Sequence, residues 1–118
     1  MQRILFLILE GAYGTQRAYN ALRLARIIQI EHQETEVRVF MIGDAVACAL
    51  ANQQPPEGFY NLEKMLDTVV SRGGRVAALK SSLEIRGMAT LPLVHGLNLA
   101  TMSDLATWTL EVDKVITF

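Results

Sequence analysis

Cysteine occurs once in this chain, at position 48, which excludes an internal disulfide. With the only two histidines far apart at His32 and His95, no metal-ligand spacing exists either, so neither a metal nor a cofactor is expected. Long hydrophobic runs are also missing. The run Ile4 to Leu9 falls far short of the ~20 apolar residues that a membrane helix needs, and no signal-peptide pattern follows it. A cytoplasmic protein that does not enter membranes is the expectation. No excess of one charge is present: 11 basic and 12 acidic residues give a net charge of −1 and no basic stripe, which argues against nucleic acid as a partner. Proline is limited to three positions, two of them adjacent at Pro55-Pro56.

What is there is globular. Half of the 118 residues are hydrophobic (51%) and 19% are charged, so one compact domain spanning residues 1–118 is expected. The mean hydropathy of +0.24 leans toward a chain that buries more surface than one small monomer covers, which points to self-association.

The pattern alternates strands with helices. Ile4 to Leu9 is continuously apolar, as a strand buried on both faces of a parallel sheet is. After the turn Gly11-Ala12-Tyr13-Gly14-Thr15, Ala18, Ala21, Leu22, Ala25 and Ile28 mark one face of a helix, with Thr15 as its expected N-cap. Val37 to Ile42 reads as a second strand closed by Gly43-Asp44, with Ala45 to Leu50 helical behind it. Pro55-Pro56 and Gly58 define a surface loop, and Asn61 caps a helix carrying Leu62, Met65, Leu66, Val69 and Val70 on one face. Gly73-Gly74 stops it. Arg75 to Leu79 forms a third strand, followed by a short helix that Ser81 or Ser82 caps and Gly87 ends. Leu97 to Leu99 makes a short fourth strand. Thr101 with Asp104 opens a last helix turning Leu105, Trp108 and Val112 inward, and Val115 to Phe118 closes the sheet, a terminal strand that is ordered only if the sheet holds Phe118. The sum is α/β: a parallel sheet of about five strands covered on both faces, a three-layer α/β/α arrangement.

In such sheets ligands bind beyond the carboxyl ends of the strands. This places the candidates at Tyr13, Gly14 and Thr15, at Asp44 to Cys48, and at Leu79 to Arg86. Gly11 to Thr15 can cradle an anion on backbone N–H groups, with Arg17 nearby, yet it matches neither the P-loop nor the dinucleotide fingerprint, and a plain strand-to-helix turn is the preferred reading. Cys48 stands either as a nucleophile or as a small buried hydrophobe. Asp44 is explained by capping, and Arg86 by the helix end it occupies or by facing the site. His32 and His95 read as surface residues and Trp108 as core or an oligomer contact.

Tyr13-Gly14-Thr15 leading to Asn20 through Ala25, Gly43-Asp44-Ala45-Val46, Tyr60-Asn61-Leu62, Arg86-Gly87, Thr90 to Val94, and Leu105 to Phe118 together resemble the DsrE/YchN (DsrE/DsrF/TusD) family nearly end to end. The resemblance implies a flavodoxin-like domain that assembles with itself as a homotrimer or homohexamer, with another sulfur-relay protein as a partner. It also implies a persulfide-bearing cysteine, often within Cys-x-x-Cys, ahead of Arg-Gly. Here that stretch is Leu79-Lys80-Ser81-Ser82-Leu83-Glu84-Ile85-Arg86-Gly87, with Leu79 and Ser82 at the two positions. A hydroxyl cannot carry a persulfide, so Ser82 marks the family's cysteine position without its chemistry. Three readings follow: an oligomeric accessory or small-anion-binding protein without relay chemistry, a sulfurtransferase-type carrier using Cys48, or a binding module that keeps only the fold.

Overall fold

The computed structural model describes residues 1–118. Its elements run β1 (Arg3–Ile8), α1 (Arg17–Glu31), β2 (Glu36–Met41), a 3-10 helix (Gly43–Ala49), α2 (Leu62–Ser71), β3 (Arg75–Leu79), α3 (Lys80–Ile85), β4 (Asn98–Ala100), α4 (Met102–Glu111) and β5 (Lys114–Thr117). The five strands are all parallel and lie in the order β4-β3-β2-β1-β5. The α/β fold expected from the strand and helix patterns is therefore the one observed.

That order has a consequence for the layers. The chain steps one way across the sheet from β1 to β4, then returns past β1 to place β5 on the far side. Right-handed crossovers put helices on opposite faces when the direction of travel reverses. Two separate apolar clusters result. A cluster of 21 buried residues, including Phe6, Ile8, Leu22, Val39, Met41, Leu66 and Leu83, fills the space between the sheet and α1, α2 and α3. On the opposite face only seven buried residues gather, among them Leu5, Phe40, Leu105 and Trp108, under α4 alone. Both faces are covered, as expected, but unequally, because four of the five strands are traversed before the reversal.

Local chemistry explains most element ends. The Asn61 side chain accepts a hydrogen bond from the Lys64 N–H at 3.0 Å, the cap that the sequence indicates. Thr101 and Asp104 form a reciprocal capping box at the start of α4. Gly74 is required where it stands: a Cβ there would lie 2.6 Å from Val69 Cγ1 and 2.7 Å from the Val69 carbonyl oxygen. β5 is held at its end by backbone bonds from Phe118 N–H to the Leu7 carbonyl (2.9 Å) and from Leu9 N–H to the Phe118 carbonyl (2.8 Å). The Phe118 ring stacks on Phe6, so the last residue is anchored as expected.

Two expectations about local structure need correction. Thr15 is not the cap of α1: Gln16 holds that place without a side-chain bond, and Thr15 Oγ1 instead accepts from Arg17 N–H at 3.2 Å. Gly43 to Ala49 is helical, close to the stretch expected, and winds as a 3-10 helix entered through Gly43 at a φ of +59° that suits glycine. Ser82 is not a cap either. β3 runs straight into α3 through Leu79, so Ser82 lies inside the first turn and its hydroxyl is free for a long-range partner.

On the α4 face, Arg38 is a buried charge with a built surrounding. Its guanidinium donates to Glu36 at 2.6 Å and to Glu111 at 2.7 Å. Arg38 and Arg75, side by side in register on β2 and β3, both lie over the Trp108 ring, at 5.4 and 5.0 Å from its centroid. These contacts fasten α4 to the sheet at the end opposite the candidate site.

Candidate functional site

The carboxyl ends of β1, β2 and β3 deliver three short segments to one edge of the molecule. Asp44, Ser82 and Arg86 come together there. Gly43 N–H donates to Ser82 Oγ at 3.0 Å, which pins the turn after β2 to the first turn of α3. Arg86, at the end of α3, donates through Nε and Nη2 to Asp44 Oδ1 at 3.1 and 2.9 Å, and through Nη1 to the Ser82 carbonyl at 3.1 Å. Asp44 thus serves as an ion-pair partner rather than a helix cap. Gly11 packs over it, since a Cβ on Gly11 would lie 3.6 Å from Asp44 Cβ.

The rest of the predicted set is held elsewhere. Tyr13 sits in the left-handed region at φ 64°, a conformation disfavoured for a bulky residue. Its hydroxyl donates to Gln53 Oε1 at 2.6 Å and accepts from Leu62 N–H at 3.0 Å, tying the turn after β1 to the Pro55-Pro56 loop and to the start of α2. Burial pushes the Tyr13 hydroxyl above its ordinary pKa, opposed by the bond from Leu62, so it stays a phenol. Gln53 in turn donates to the carbonyls of Cys48 and Leu50, both at 2.8 Å. Gly14 has open space around it, and Thr15 is exposed.

Cys48 is fully buried within the larger apolar cluster. Burial pushes its thiol up to about 12, so at neutral pH it is protonated and out of reach of solvent. It joins neither Tyr13 nor the Asp44–Ser82–Arg86 group by a side-chain bond. His32 and His95 are exposed, and Trp108 is core.

Sequence reasoning missed Gln53. It organises the loop by bridging Tyr13 to the backbone of residues 48 and 50, but a glutamine before a Pro-Pro pair carries no local signal.

Comparison with known proteins settles the family. The chain matches the DsrE/DsrF-like family over residues 2–118. It belongs to that family. Protein YchN of Escherichia coli (strain K12) is 37% identical to it over 118 residues, the full length of both chains. The crystal structure of YchN from E. coli superposes with a TM-score of 0.95 over the whole of both chains. A protein of unknown function from Methanobacterium thermoautotrophicum, MTH1491, shares the fold at a TM-score of 0.82, again over both full chains, with 15% identity. The flavodoxin-like α/β reading is thereby supported for this DsrE/DsrF-like chain, and Ser82 stands in its α3 as a buried hydroxyl.

Proposed function

We propose that this DsrE/DsrF-like chain is a self-assembling, cytoplasmic accessory protein of a sulfur-relay system, one that keeps the relay scaffold but does not itself carry sulfur. The observation that carries the reading is that neither candidate residue offers a thiol to solvent. Ser82 has a hydroxyl, engaged as the acceptor for Gly43 N–H, and Cys48 lies at 0% exposure in the core. A carrier working through Cys48 would need the core to open. A small-anion site built on Arg86 is also disfavoured, because Arg86 already faces a carboxylate.

The experiment is exposure to inorganic polysulfide followed by intact mass measurement, on the parent and on Ser82→Cys. The parent is expected to gain no sulfur and the variant to gain one atom on the new thiol. Sulfur on Cys48 of the parent would overturn the reading in favour of an active carrier. Failure of both would leave a binding module that shares only the fold.

Self-assembly is supported by the uneven layers. The α4 side leaves Leu110 at 87%, Met102 at 58% and Val115 at 42% exposure around a small cluster. Light scattering after size exclusion is expected to give a trimer or hexamer, and Leu110→Glu to weaken it. A monomeric parent at all concentrations would refute this part.

A further inference from the structure

A groove of about 680 Å3 runs between α1 and α2, away from Asp44, Ser82 and Arg86. Its charge departs sharply from that of the chain as a whole. Arg23, Arg26 and Lys64 line it, whereas no aspartate or glutamate does, in a protein of net charge −1. The acidic residues of α2 point elsewhere: Glu63 accepts from Gln53 N–H at 2.9 Å, and Asp67 is not among the lining residues. None of the three cations is in an ion pair. The same groove exposes apolar surface, with Ile27 at 48%, Ile30 at 37% and Phe59 at 65%.

One wall is stiff. The Tyr19 and Tyr60 rings stack at 4.0 Å with 13° between planes, Tyr13 continues the stack beyond Tyr60, and the Arg23 guanidinium lies 5.1 Å from the Tyr19 centroid. Residues 19 to 30 of α1 span about 17 Å at ~1.5 Å per residue, the length of about three helical turns. A groove of that length, lined by both apolar and cationic side chains, matches the way an amphipathic helix docks through residues at i, i+3, i+4 and i+7.

We propose that the α1/α2 groove is a docking site for an acidic amphipathic helix of a partner protein, its apolar stripe on Ile27, Ile30 and Phe59 and its carboxylates on Arg23, Arg26 and Lys64. Charge complementarity selects this occupant. A second copy of this chain, or an anionic membrane, is the competing occupant that the test must separate.

The test measures fluorescence polarisation of two labelled synthetic peptides of about 12 residues, matched to the groove length. Both carry leucines at i, i+3, i+4 and i+7, with glutamate at the other positions in one and lysine in the other. The glutamate peptide is expected to bind and the lysine peptide not. The triple variant Arg23→Glu, Arg26→Glu, Lys64→Glu is expected to weaken the glutamate peptide by about tenfold or more, the sum of three partly exposed ion pairs. Ile27→Asn with Ile30→Asn should weaken it as well, with the circular dichroism of both variants unchanged. Absence of binding by the glutamate peptide, or equal binding to parent and triple variant, would overturn the proposal. A change in the oligomeric mass of the triple variant would overturn it in favour of a contact between copies. Sedimentation of the parent with phosphatidylserine vesicles but not phosphatidylcholine vesicles, lost in the triple variant, would overturn it in favour of a membrane.

Discussion

Removing the Ser82 hydroxyl tests whether its bond from Gly43 N–H holds the turn at the centre of the site. In Ser82→Ala, Gly43 N–H loses the acceptor 3.0 Å away, while the α3 backbone keeps its bonds. An unsatisfied buried donor costs about 1–3 kcal/mol. Two features place this case at the low end, about 1 kcal/mol: the neighbouring Asp44 side chain is 76% exposed, so water can reach the turn, and alanine suits a helix interior. Amide hydrogen exchange followed by NMR reads the effect at one atom. The Gly43 amide should exchange about fivefold faster in the variant, with a matching fall in the urea midpoint at fixed protein concentration. A helix cap at Ser82 would instead protect the amides two or three residues on, Glu84 and Ile85. Acceleration at those positions with Gly43 unchanged would refute the long-range contact.

Acid should loosen the α4 face. Burial alone would raise the Glu36 carboxyl, but the bond and charge of Arg38, with Arg3 and Arg75, outweigh it and hold the group below its ordinary 4.5. Glu111 is held below 4.5 as well, first by its bond from Arg38. Groups depressed in the folded state stabilise it above their unfolded pKa, so this contribution is full above about 4.5 and fades as pH falls through the lower folded values. Urea midpoints measured across that range should fall in the parent and fall less in Arg38→Met; parallel curves would show that Arg38 does not set the acid response. Tyr13→Phe should cost about 1 kcal/mol, because Leu62 N–H loses its acceptor at the start of α2 and Gln53 loses its donor. A denaturation midpoint identical to the parent's would mean that the loop is held by the tyrosine stack and not by the hydroxyl.

The legible parts of the fold are those whose chemistry is local. Asn61 and the Thr101/Asp104 pair bond to residues three along, so their spacing announces a helix start before any tertiary structure exists. β1 is legible for a different reason: a run buried on both faces has no polar positions to interrupt it. Ser82 resisted the same reasoning because its partner is 39 residues away, and a serine shortly after a strand satisfies the local rule for a cap whether or not it is one. Arg86 and Asp44, 42 residues apart, pair only because parallel strands end side by side. The unequal layers were invisible for a related reason. Periodicity gives each helix an apolar face, but only the return of the chain past β1 decides which side of the sheet receives it.

The same long-range contacts bear on chemistry. A catalytic or carrier group must keep an atom uncommitted and reachable, yet the Ser82 and Arg86 polar groups at the strand ends are engaged with their neighbours. Asp44 faces Arg86, the Ser82 hydroxyl receives Gly43 N–H, and the Ser82 carbonyl receives Arg86. A thiol at position 82 would change that balance in a defined way. Sulfur is a weaker acceptor than a hydroxyl oxygen, so the Gly43 contact would slacken, while Arg86, four residues along the same helix, would remain to favour a thiolate. With serine at position 82, the hydroxyl gives the firmer turn. Cys48 offers no route around this, since ionising it would require charge in the middle of the largest apolar cluster in the molecule.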